Sequence, residues 1–170
     1  EYAESSSAKK LLNDAPLIID ETSNLKIDDL YSRAKEYAES SPAKIIFIDY
    51  IGLISTENTN APVYEQISEI SKSLKALARE LEIPIVALCQ VSRDAEGQEP
   101  NLAQLRGSGS IEQDADVVMF LHRDRKSLDE NNAVQEAKLI VAKQRNGMTG
   151  DVNLMFLAGY TKFENAAKEE

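Results

Sequence analysis

The stretch KIIFIDY, Lys44 to Tyr50, decides the fold. Apolar residues run without a break from Ile45 to Ile48, and a carboxylate, Asp49, follows at once. A run with no polar alternation is the pattern of a strand covered on both faces, as in a parallel sheet with helices on either side. IPIVALCQ, Ile83 to Gln90, repeats the pattern and ends on an amide. In such sheets ligands bind outside the carboxyl ends of the strands, where Asp49 and Gln90 stand. An ionised Asp ending a buried run is costly unless something pairs with it, so Asp49 either holds a ligand or caps the next segment.

Around these strands the chain alternates strand and helix. PLIIDE (Pro16 to Glu21) is a short apolar run. KIDDLYSRAKEYAE (Lys26 to Glu39) has Ile27, Leu30, Ala34 and Ala38 at helical spacing, with Asp28 and Asp29 where the helix dipole favours them. STENTNAP is a polar loop. VYEQISEISKSLKALARELE is the clearest helix: Val63, Ile67, Ile70, Leu74, Leu77 and Leu81 step by threes and fours. SRDAEGQEP is a loop, NLAQL a single helical turn capped by Asn101, and RGSGS (Arg106 to Ser110) irregular. Ser110 and Gln113 offer a capping box for a short helix. VVMFLHR (Val117 to Arg123) and AKLIVAKQR (Ala137 to Arg145) are a third and a fourth strand, separated by a charged loop. After the turn NGMTG, DVNLMF and YTKFE form a terminal pair. The ends, rich in Ala, Ser, Glu and Lys, are helical or loosely held. No internal repeat or low-complexity tract occurs.

The 170 residues suffice for one domain with a real core, and 42% hydrophobic with 28% charged residues reads as soluble and globular. No apolar run approaches the roughly 20 residues of a membrane helix, and the acidic opening Glu1-Tyr2-Ala3-Glu4 is no signal peptide. The single cysteine, Cys89, permits no internal disulfide and fits a reducing cytoplasm. A net charge of −10 argues against a broad basic DNA-gripping surface, but leaves room for a few cations focused in a channel.

Several residues have chemical potential, each with a plain structural alternative. Asp49 suits Mg²⁺ beside a nucleotide's phosphates, or caps the next segment. Gln90 can sense a γ-phosphate and orient a water, or tie down a loop. Arg106, Gly107 and Gly109 form a loop that suits a phosphate, from nucleotide or nucleic acid, or a simple turn. Lys143 and Arg145 alternate on a strand and point to one side, as a pair for phosphate charge or as a solvated strand end. His122 has no partner at motif spacing, and no Ser-His-Asp, HExxH or paired-carboxylate arrangement stands out. None of the seven glycines begins a G-x-x-x-x-G-K-[ST] loop, so the chain carries an Mg²⁺-type Asp without the loop that cradles the nucleotide.

IIFIDYIGL, EISKSLKALARELEIPIVALCQVSR, LRGSGSIEQDADVVMFLHRD and AKQRNGMTG, taken together and in this order, resemble the C-terminal motor domain of the DnaB-type bacterial replicative DNA helicases. The likeness runs from about Pro16 to Phe163. It implies an α/β, RecA-like fold: a mostly parallel sheet with helices on both faces and a C-terminal antiparallel strand pair. It implies a flanking segment over 1–15, the second half of the motor domain over 16–165 and a tail over 166–170, with the family's P-loop and catalytic Glu upstream. Asp49 matches the Mg²⁺-binding Asp and Gln90 the γ-phosphate sensor. Arg106 and Gly109 match the loop that holds DNA in the central channel. Lys143 and Arg145 match the pair that reaches into the adjacent subunit's ATP site. Gly107 stands where the family has an acidic residue, and Cys89 replaces a common Ser.

The resemblance implies a cytoplasmic, ATP- and Mg²⁺-dependent homo-hexamer that moves 5′–3′ on single-stranded DNA, with primase and a helicase loader as partners and no membrane. The chain alone, lacking the P-loop, is expected to be inactive as an ATPase. Two rivals stand beside this reading: a RecA-like ATPase of recombination or regulation, which needs Asp49 but not the RGSG loop, and a non-catalytic docking module for a loader or primase.

Overall fold

The computed structural model describes residues 2–41, 43–92, 97–105, 108–123 and 133–166. The two apolar runs pair as read. β1 (Ile46–Ile48) lies parallel to β2 (Ile85–Ala87), with Ile46 opposite Ile85 and Ile48 opposite Ala87. Parallel neighbours need a crossover, and α3 (Val63–Leu81) provides it. Its buried residues Ile67, Ile70, Leu74 and Leu77 make one apolar stripe, and Leu77 is 0% exposed. The helix stops at Glu82, whose φ of 54° is left-handed and whose backbone N–H donates to the Ala78 carbonyl.

α2 (Ile27–Ser40) packs beside α3, and Tyr31 and Lys35 both reach Glu80 across the gap. Ile27, Ile48, Ile51, Ile54, Ile70 and Leu74 close the core beneath them. The N-terminal segment forms a helix, α1 (Tyr2–Asp14). The run at Pro16 to Glu21 makes no strand; Leu17, Ile18 and Ile19 are exposed. Asp20 within it is bound to Arg33 at 2.9 Å. The Thr22 side chain, then Arg33, holds its carboxyl down to about 2.

The second sheet is larger than the terminal pair that the sequence suggests. β3 (Val117–His122), β4 (Val134–Gln144), β5 (Gly150–Leu157) and β6 (Lys162–Asn165) form an antiparallel meander in that order. DVNLMF and YTKFE do pair, as β5 and β6, but the third and fourth strands join them. The apolar run of β3 also proves half covered. Val118 and Phe120 face a second core cluster with Leu105, while Val117, Met119 and Leu121 face outward. Phe47 on β1 is likewise 69% exposed. An unbroken apolar run therefore marks two apolar faces here, of which this chain covers one.

α4 (Ser108–Asp114) joins the two sheets, because Ile111 packs against both clusters. It starts two residues before Ser110, so Ser110 lies inside the helix rather than capping it, and 108–110 are helical rather than irregular. First-turn N–H groups have no intrahelical partner in any helix, so Gly109 is tolerated there at little cost. Among the described residues no helix is long and apolar enough to cross a membrane.

Candidate functional site

The parallel pair sets the first group. The Leu88 N–H donates to the Ile48 carbonyl at 2.9 Å, and the Ile51 N–H to the Leu88 carbonyl at 2.9 Å. These bonds carry the pairing just past the strands, so Asp49 and Gln90 leave the same end of the sheet. Both are exposed. Asp49 is therefore not a carboxylate under an apolar run: burial imposes no desolvation cost on it. Among the described residues its carboxylate has no hydrogen-bond or ion-pair partner. No group of three His, Cys, Asp or Glu gathers anywhere among them. A lone free carboxylate does not build a closed cation cage. It does suit Mg²⁺, which keeps several waters and takes one or two carboxylates together with a substrate's phosphates.

Next to Gln90, Val91 is linked to the residue that precedes Arg106. Val91 bridges Leu105 antiparallel, and the Ser92 N–H donates to the Gln104 carbonyl at 2.8 Å. Leu105 is held in turn by a 3-10 turn, Leu102–Gln104, capped by Asn101 as the sequence suggested, with Gln104 completing a capping box that it did not. Arg106 and Gly107 lie outside the described residues. Gly109 is in the first turn of α4, and a Cβ placed there would meet nothing within 4 Å. Internal packing does not demand this glycine, and the surface over it is open.

Lys143 and Arg145 do come together, at the other end of α4. The register of β3 and β4 slips between Val118 and Met119: Lys143 faces Val118, Val141 faces Met119, and Ala142 is the extra residue. A bulge of this kind re-aims the side chains beyond it. Lys143 Nζ donates to the carbonyls of Glu112 and of Ala115, the latter at 2.7 Å. Arg145 donates to the Gln113 carbonyl. The final carbonyls of a helix lack intrahelical donors and carry partial negative charge, so cations settle there.

Four residues that sequence reading did not single out complete this cluster. The Asp116 carbonyl accepts the Arg145 backbone N–H at 2.9 Å. Its carboxylate lies 3.6 Å from the Arg145 guanidinium and also binds Lys75 of α3. Ser71, one turn earlier on α3, donates to Asp114 at 2.9 Å. The Lys75 ammonium, and less strongly Arg145, hold the Asp116 carboxyl below the usual carboxylate range. The available signal was DADVVMF, a carboxylate before an apolar strand, the reverse of the IIFID pattern. No contact joins this cluster to Asp49 among the described residues. Within one chain the site residues therefore form two separate groups.

Comparison with known proteins bears on the family and the fold. A family model described as DnaB-like helicase C terminal domain matches residues 1–165. The chain is 57% identical over 150 residues to the replicative DNA helicase DnaB of Treponema pallidum, covering 88% of this chain and 33% of that protein. It is 42% identical over 161 residues to DnaB of Geobacillus stearothermophilus, covering 91% and 35%. Among solved structures, an ATPase domain superposes with a TM-score of 0.87 at 33% identity, covering 98% of this chain and 60% of that one. A DnaB-like replicative helicase, solved in a study of its interactions with primase, gives the same TM-score and identity, covering 98% and 41%. The chain thus spans about a third of the length of the curated relatives it matches. It has the α/β fold of DnaB-like helicase ATPase domains and belongs to the DnaB-like helicase C-terminal domain family.

Proposed function

We propose that this chain is part of an ATP-driven replicative DNA helicase and contributes to two ATP sites, one in its own subunit and one in the next. The observation that carries the reading is the pair Asp49 and Gln90, side by side at the carboxyl ends of adjacent parallel strands, with the Asp49 carboxylate unengaged among the described residues. Asp49 would hold Mg²⁺, which when bound supplies positive charge to the phosphates. Gln90 reads whether the γ-phosphoryl group is present and orients the attacking water. Arg145, with Lys143, faces the neighbouring subunit's nucleotide and stabilises the charge of the transferring group, a role typically worth about 10³–10⁵ in rate.

The bridge from Val91 to Leu105 supports a mechanical role for Gln90. A shift at the nucleotide is passed within two residues to Arg106, Gly107 and Gly109, the residues leading into and opening α4, which hold the backbone of single-stranded DNA in the channel of a homo-hexamer. Translocation is 5′–3′. Cations are needed only along that channel, so a net charge of −10 is compatible with DNA binding. The similarity to a helicase studied with primase supports primase as a partner, and a loader and a cytoplasmic setting belong to the same reading. The chain has no P-loop motif, so alone it hydrolyses no ATP; robust hydrolysis by the purified chain would remove this part of the proposal.

The test is Arg106→Ala in the complete helicase, with single-stranded DNA affinity measured at low salt. The expected result is weakened binding with ATP binding kept. Unchanged binding would favour a RecA-like ATPase of another kind.

A further inference from the structure

We infer that Asp116 is a positioning residue for Arg145, and that through it α4, which begins at the residues proposed above to hold DNA, and the arginine that serves the next subunit move as one body. The inference rests on the reading of Arg145 given above. Arg145 sits one residue past the end of β4, beyond the Ala142 bulge, where the Arg145 N–H to Asp116 carbonyl bond extends the ladder by one step and fixes the backbone but not the side chain. The direction of its side chain comes from contacts that, among the described residues, belong to one short segment. Asp116 takes its backbone N–H and lies beside its guanidinium, and the Gln113 carbonyl takes a second N–H.

The segment is itself anchored twice. On one side α3 holds it, through Ser71 to Asp114 and Lys75 to Asp116. On the other, Lys143 binds the Glu112 and Ala115 carbonyls. A guanidinium has five N–H donors in a rigid fork. Gln113 and Asp116 fix one part of that fork and leave donors for a phosphate. Because Gln113 of α4 and Asp116 just after it both hold Arg145, displacement of α4 by DNA changes where the arginine is held.

The experiment uses the complete helicase and compares Arg145→Ala, Asp116→Asn, Asp116→Glu and Lys75→Met, reading kcat and KM for ATP with and without single-stranded DNA. Asp116→Asn removes the charge and keeps the shape. It is expected to lower kcat roughly 10–10²-fold, the usual cost of misplacing a reacting group. KM should stay within about twofold, because nucleotide binding is not its task. Asp116→Glu should recover part of the loss, which a purely structural role would not produce.

A native kcat in Asp116→Asn, with turnover abolished in Arg145→Ala, overturns this inference and leaves the role of Arg145 intact. Native turnover in Arg145→Ala instead removes that role and, with it, this proposal. Should Asp116→Asn fail to assemble, Lys75→Met decides. Among the described residues the Asp116 carboxylate is then left with the exposed Arg145 pair, which salt screens. DNA-independent turnover must become more salt-sensitive than in the native protein, and an unchanged salt dependence overturns the proposal.

Discussion

The two ends of this chain's machinery are built in opposite ways. At the end of β1 and β2, Asp49 and Gln90 stand exposed, with the Asp49 carboxylate free among the described residues. At the end of β4, Lys143 and Arg145 are tied to carbonyls of residues 112–116, which are tied in turn to α3. The first group is completed by what binds to it. The second is organised in advance by its own chain, before any ligand arrives. A group that holds a metal within its own subunit can wait for the ligand to order it. A group that must reach across a subunit boundary cannot, because misplacement by an ångström removes most of its effect.

Four substitutions set the two ends against each other. Arg145→Ala in the complete helicase should lower ATP turnover by about 10³–10⁵ with nucleotide binding retained; steady-state kinetics with a separate nucleotide-binding assay checks both halves of the claim. Asp49→Asn should cost less, roughly 10–10²-fold in activity, since waters and phosphates still ligate the cation. A Mg²⁺ titration of turnover should show the midpoint moved upward, and an unmoved midpoint would disconnect Asp49 from the metal.

Ile111→Ala tests the joint between the ends, because Ile111 touches both core clusters. It is only partly buried, so a loss of about 2 kcal/mol is expected, at the low end for such truncations; chemical denaturation reads it. Glu82→Gly should have the smallest effect and the opposite sign. It removes a left-handed φ from a residue with a side chain and should raise stability by about 0.5–1 kcal/mol.

The parts of the fold that were legible are those whose signal is local. α3 could be placed within a residue from its apolar stripe, and the Asn101 cap from the spacing of NLAQL. Strand and carboxylate were legible together in IIFID. What the sequence hid lies across long separations. The Ser71–Asp114 bond spans 43 residues and the Lys143–Glu112 bond 31. No periodicity reports such pairs, so Lys143 and Arg145 could be recognised as neighbours while the segment that aims them could not. β3 misled for a different reason. Its apolar run reports that both faces avoid water, not that this chain supplies both covers, and Val117, Met119 and Leu121 stay exposed. An apolar face of that kind is suited to a further packing partner.

The central claim is that each chain serves two different ATP sites, its own through Asp49 and its neighbour's through Arg145. Mixing complete subunits carrying Asp49→Asn with complete subunits carrying Arg145→Ala tests it most directly. In a randomly mixed ring about a quarter of the head-to-tail interfaces join an intact Asp49 to an intact Arg145. The account predicts that the mixture regains ATP turnover above that of either variant alone. Turnover no higher than in the separate variants, with mixed rings shown to form, would contradict it.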